Sequence, residues 1–119
     1  MPEREVLFLL DAHGTVLWSD VGTPGSLPDS RERWDAIWLR RVRLEEIAHS
    51  HPHGPLGFSS MDRTTMATID AALGRELRYL VVAPEGTLAC RAGVVEVVEP
   101  EPPWAARLRA ESGMLRRQT

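Results

Sequence analysis

Residues 44–62 read Leu44-Glu45-Glu46-Ile47-Ala48-His49-Ser50-His51-Pro52-His53-Gly54-Pro55-Leu56-Gly57-Phe58-Ser59-Ser60-Met61-Asp62. The first part, from Leu44 to Ser50, is short and begins with polar and apolar residues in alternation, which predicts a strand. Two prolines and two glycines between Pro52 and Phe58 forbid a regular element and make that stretch a loop. Ser59 followed by Asp62 is a helix-start pattern, so the whole reads as strand, loop, helix.

The chain on either side fits the same alternation of elements. Upstream, Val6–Leu10 is a continuous apolar run and predicts a buried first strand. Asp11-Ala12-His13-Gly14 has turn chemistry, and residues 15–18 read as the returning strand of a hairpin. Val21 to Pro28 is a loop rich in Gly and Pro. Asp29 or Ser30 can cap a helix on which Trp34, Ile37, Trp38 and Arg41 share one stripe, with both indole rings expected in the core. Downstream, Met61, Met66, Ile69, Ala72 and Leu73 outline the buried side of the second helix, which weakens at Gly74. Residues 79–83, 87–90 and 94–98 read as three strands joined by turns at 84–86 and 91–93. A stiff connector, Pro100 to Pro103, leads into a last helix, with a fraying Arg-rich tail after Gly113. The expected class is α/β, with a mixed, mostly antiparallel sheet flanked by helices. At 119 residues and 13.3 kDa the expectation is a single domain, its core at about 4–98 and its last helix and tail at 103–119.

Composition narrows the function classes. Hydrophobic residues at 43% and charged residues at 26% exclude global disorder. No apolar run approaches the roughly 20 residues of a membrane-spanning helix, and MPEREVLFLL lacks a small-residue cleavage site, so it reads as a strand and not a signal peptide. The net charge of −3 argues against a sequence-independent grip on nucleic acid. All 14 basic residues are Arg. A single cysteine, Cys90, rules out an internal disulfide and an all-thiolate metal site, and a reducing, cytoplasmic setting is the expectation.

The chemistry concentrates in the quoted stretch. Alternate residues of a strand share a face, so His49 and His51 project together and Ser50 projects opposite. Asp62, in the first turn of the next helix, can complete a set of three nitrogen and oxygen donors. That set suits a zinc ion with one position left for water. Hydrolysis also needs a carboxylate to move the proton of the water. Glu45 lies roughly 13 Å back along the strand, and Glu46 points to the other face. The carboxylate therefore comes from another strand. Glu5 is the best candidate, although parity alone does not separate it from Glu3.

His-Ser-His, seven residues, Ser, two residues, Asp is the spacing of the JAMM (MPN, Mov34) metalloprotease family, and the chain resembles it at every fixed position, including Pro52. Glu5-Val6-Leu7-Phe8-Leu9-Leu10 looks like the glutamate strand of that family. The resemblance implies the JAMM fold, related to that of cytidine deaminases, and one zinc per chain on His49, His51 and Asp62. It also implies Glu5 as general acid/base and Ser59 as donor to the oxyanion. The implied substrate is an amide at the C-terminus of a ubiquitin-like or sulfur-carrier protein, or a small peptide. A substrate tail would add as a strand to an exposed edge near the loop after His51. Two other outcomes belong to the same superfamily: a metal-binding or inactive scaffold, and a DNA-associated protein like the RadC branch, which the opening EVLFLLDAHGTVLW also resembles. Relatives commonly carry a helix ahead of the glutamate strand, where this chain has four residues. The C-terminal helix is the candidate for that place. The sequence leaves the oligomeric state open.

Overall fold

The computed structural model describes residues 3–22 and 31–114. The caps expected at Asp29 or Ser30, most of the loop at 21–28 and the tail beyond Met114 lie outside them. The elements are β1 (Val6–Leu10), β2 (Val16–Val21), α1 (Arg31–Leu39), β3 (Glu46–Ser50), α2 (Ser60–Leu73), β4 (Arg78–Ala83), β5 (Gly86–Arg91), β6 (Val94–Val97) and α3 (Pro103–Ser112). The strands form one six-stranded mixed sheet in the order β2-β1-β3-β4-β5-β6. Only β3 and β4 run parallel, and α2 is the crossover between them. The other neighbouring pairs are antiparallel. The class is therefore α/β, with helices on both faces.

Alternation along the strands divides the core in two. Val6, Phe8, Leu10, Ala48, Leu80 and Val82 face α3, where Trp104, Ala105 and Leu108 cover them. Leu7, Leu9, Ile47 and Tyr79 face α1 and α2, against Ala36, Ile37, Ile69 and Met66. Both faces of β1 are thus apolar and all five of its residues are buried, which is why its sequence shows no polar alternation. The β1–β2 turn is organised by Asp11. Its Oδ1 accepts the N–H groups of Thr15 and His13, each at 2.9 Å, and its Oδ2 accepts from Arg43 at 3.2 Å. Those donors hold the Asp11 carboxyl below its usual range.

Several expectations are corrected. The strand expected at residues 15–18 runs Val16–Val21. The helix carrying Trp34 stops at Leu39, so Arg41 lies beyond it. Trp38 is half exposed, with its ring under the Arg41 guanidinium at 4.0 Å instead of in the core. Met61 is 77% exposed and Ala72 is exposed, so α2 turns a narrower stripe inward than its apolar residues suggest. Gly74 closes α2 in the left-handed conformation (φ 70°), and its N–H reaches the carbonyl of Asp70 at 2.9 Å.

The C-terminal helix is tied to the sheet through its last turn. Arg109 makes a paired contact with Glu101 at 2.9 and 2.6 Å and also donates to the carbonyls of Ala83 and Gly86. In the same turn, the carbonyls of Ser112 and Glu111 accept the backbone N–H and the Nε of Arg4, both at 2.9 Å. α3 thus holds the lead-in to β1, the segment that carries Glu5.

Candidate metal centre

A parallel strand pair with its crossover helix places strand C-termini and the helix N-terminus at one end, where ligand sites form. β3 ends there at Ser50. The main chain of His51 extends the ladder by one bond, donating to the carbonyl of Val82 at 2.8 Å. His49 and His51 share a face, as expected, and their Nε2 atoms stand 3.0 Å apart. The side chain of Ser50 lies on the opposite face, fully buried.

The loop at 52–58 returns the chain so that α2 begins above the two imidazoles. Ser59 is its N-cap, and the cap is reciprocal. Ser59 Oγ accepts the N–H of Asp62 at 3.0 Å, and Asp62 Oδ2 accepts the N–H of Ser59 at 2.8 Å. The box fixes the Asp62 carboxylate with Oδ1 at 3.5 Å from His49 Nε2 and Oδ2 at 3.5 Å from His51 Nε2. All three side chains are mostly buried, 14–20% exposed.

These separations allow a metal. A tetrahedral zinc with bonds of 2.0–2.1 Å sets neighbouring donors about 3.3 Å apart. Here the two imidazole nitrogens lie 3.0 Å apart, each has a different Asp62 oxygen at 3.5 Å, and one ligand atom from each of the three residues lies within 4.8 Å of the others. Tautomer chemistry agrees. The Nδ1 of His51 lies 3.0 Å from the carbonyl of Pro55, which can only accept, so Nδ1 carries the proton and Nε2 offers its lone pair. An Nε2 lone pair, a second imidazole nitrogen and two carboxylate oxygens at such distances require a proton or a cation among them. Burial alone would lower the pKa of His51, but Asp62, Pro55 and Glu5 raise it above its usual value. Burial alone would raise the pKa of Asp62, but His49, His51 and the N–H of Ser59 hold its carboxyl far below the ordinary carboxylate range. The His-His-Asp group can hold a metal ion.

The three donors open into a cavity of about 300 Å³. Glu5 and Ser59 line it with them, so the expected site residues converge. β1 pairs with β3 in the register Leu7↔His49. Glu5, two residues before Leu7, lies just beyond the end of that ladder. Glu3, by contrast, does not line the cavity and stands beside the exposed His53 at 3.6 Å. Glu46 pairs with Arg78 at 2.8 Å and Glu45 with Arg75 at 3.5 Å, both away from the centre.

Two features differ from the sequence reading. Arg33 lines the cavity, its guanidinium 3.8 Å from Asp20 and its side chain 13% exposed. The signal was its position four residues before the buried Ile37, on the same face of α1. Among the described residues β3 is paired on both sides and the outer strands are β2 and β6, so the exposed edge expected near the loop after His51 is not that of β3 itself. Among the described residues no helix is long and apolar enough to cross a membrane. Comparison with protein-family models gives no match to this chain, and comparison with curated proteins gives none either.

Proposed function

We propose that this protein is a zinc-dependent amide hydrolase with the JAMM fold. The observation that carries this reading is the convergence of His49, His51 and Asp62, with one ligand atom from each within 4.8 Å of the others, in one cavity with Glu5 and Ser59. A zinc ion on the three donors supplies a Lewis acid for the scissile carbonyl and lowers the pKa of water toward about 7.

The remaining chemistry belongs to the chain. Glu5 takes a proton from the attacking water as its oxygen bonds to the carbonyl carbon. When the carbon–nitrogen bond breaks, Glu5 delivers that proton to the leaving amine. Ser59 Oγ already accepts from the N–H of Asp62, which leaves its own proton for the oxyanion. Donors of this kind typically contribute a factor of about 10² to 10³. Arg33 adds positive charge to the wall, and Ile37, Ile47 and Ile69 make the rest of it apolar. A cavity of about 300 Å³ is at the small end of ligand sites and fits an extended tail of a few residues, not a folded domain. We therefore propose a peptide, or the C-terminal tail of a ubiquitin-like protein, as substrate.

The test is elemental analysis of the purified protein, then cleavage of ubiquitin-like C-terminal fusions with and without chelator. The expected result is about one zinc per chain, chelator-sensitive hydrolysis, and a Glu5→Gln variant that keeps zinc and loses hydrolysis. A fully active Glu5→Gln variant overturns the assignment.

A further inference from the structure

The pairing of β1 with β3 ends at Leu7 with His49, before the residues that flank Glu5. A side chain takes its place. Ser50 Oγ accepts the N–H of Val6 at 2.8 Å and donates to the carbonyl of Arg4 at 3.5 Å. One hydroxyl therefore grips the backbone on both sides of Glu5. Two further bonds hold the same segment: the carbonyl of Glu5 accepts from the N–H of Gly22 at 2.9 Å, and the N–H of Arg4 reaches the carbonyl of Ser112 at 2.9 Å. Ser50 is completely buried on the face away from the cavity, between two imidazoles that point into it.

We propose that Ser50 is a positioning residue for Glu5: it fastens the Arg4–Val6 backbone to the strand that bears His49 and His51, and so sets where the Glu5 carboxylate stands relative to the metal. The inference rests on the proposed role of Glu5. The physical reason is geometric. Proton transfer needs the carboxylate within hydrogen-bond reach of the water, and a displacement of about 1 Å can cost a factor of about 10² in rate. Neither Gly22 nor Ser112 belongs to the metal strand. Of these tethers, only Ser50 links the Glu5 segment directly to the strand of the metal ligands.

The test uses the full chain with cobalt in place of zinc, with its glutamates labelled at the carboxyl carbon with ¹³C. The paramagnetic ion displaces the Glu5 carboxyl resonance by an amount set by its distance and direction, and Glu5→Gln identifies that signal. Ser50→Ala is expected to shrink or broaden the displacement and to speed exchange of the Val6 amide, with metal stoichiometry unchanged. Ser50→Thr, which keeps Oγ, restores both. Where Ser50→Ala fails to fold, Ser50→Cys, a weaker acceptor of similar size, takes its place. In hydrolysis of a ubiquitin-like C-terminal peptide amide, Ser50→Ala is expected to lower kcat about 10- to 100-fold with KM changed less than about twofold. The same change in a Glu5→Gln background has no further effect. An unmoved Glu5 resonance in Ser50→Ala overturns this inference and leaves the proposed function standing. If no glutamate resonance is displaced in the wild-type protein, Glu5 does not face the metal, and both fall.

Discussion

Ser59 and Asp62 cap each other: the Oγ of Ser59 receives the N–H of Asp62 at 3.0 Å, and the Oδ2 of Asp62 receives the N–H of Ser59 at 2.8 Å. The proposed oxyanion donor and a proposed metal ligand are thus also the two halves of a helix start. Stability and chemistry are coupled at these two residues, and substitutions can separate them.

Ser59→Ala removes one cap bond and the oxyanion donor. Loss of an N-cap hydroxyl costs about 1 kcal/mol, or about 4 °C in Tm for a domain of this size. Hydrolysis is expected to fall about 10²-fold while zinc remains. Calorimetry with zinc analysis and steady-state kinetics checks each part. A Ser59→Ala protein with the Tm of wild type shows that the cap contributes nothing.

Zinc is expected to stabilise the folded chain by mass action. At a free concentration 100 times the Kd the gain is about 2.7 kcal/mol. The thermal midpoint should rise on adding zinc and fall back with chelator. His49→Ala and His51→Ala should abolish the rise, because either leaves only two of the three donors. A rise that survives in both variants places the ion elsewhere.

In the metal-free protein the two shifted groups of the His-His-Asp centre have opposite signs. The folded pKa of His51 lies above its unfolded value of about 6.5, so its contribution is complete below about 6.5 and is lost as pH rises through the folded value. The folded pKa of Asp62 lies below its unfolded value of about 3.9, so its contribution is present above about 3.9 and is lost as pH falls toward the folded value. Both act together between roughly pH 4 and 6.5. Urea midpoints with chelator should therefore be higher at pH 5.5 than at pH 8. With zinc the order reverses, because the metal needs unprotonated imidazoles.

The Arg109–Glu101 pair, with side chains 7% and 9% exposed, fastens α3 to the β4–β5 turn. Removing one partner strands the other charge in the interior, which typically costs about 3–5 kcal/mol. Glu101→Gln and Arg109→Met should each lower the urea midpoint strongly, and the double substitution should cost less than the two single changes combined. Additive losses would mean that the two residues do not act as a pair.

The local signals legible in the chain were those that also act locally. β1 was visible because burial on both faces leaves an unbroken apolar run, and β3 with α2 was visible because prolines, glycines and a cap separate them. Ser59-x-x-Asp62 was legible as a helix start, and the structure uses it so, with the Asp62 carboxylate 3.5 Å from each imidazole. What depends on neighbours was not legible. The stripe through Trp38 and Arg41 assumed a helix longer than α1, and Trp38 instead lies half exposed beneath Arg41. Met61 and Ala72 are apolar in a helix whose inward face is settled only by the sheet beneath it. Parity does not separate Glu5 from Glu3; in the structure Glu5 lines the cavity and Glu3 stands beside His53.

All three candidate donors come from one stretch of fourteen residues, His49 to Asp62, whereas Glu5 arrives from 44 positions before His49. Capturing an ion therefore asks the chain to close only a short loop, while assembling the acid–base pair asks two remote strands to align. The two proposed capacities rest on separate segments of the chain. On the proposed reading, a change confined to the Glu5 segment silences turnover and leaves the ion bound, so such a catalyst stands one substitution from a metal-stabilised adaptor.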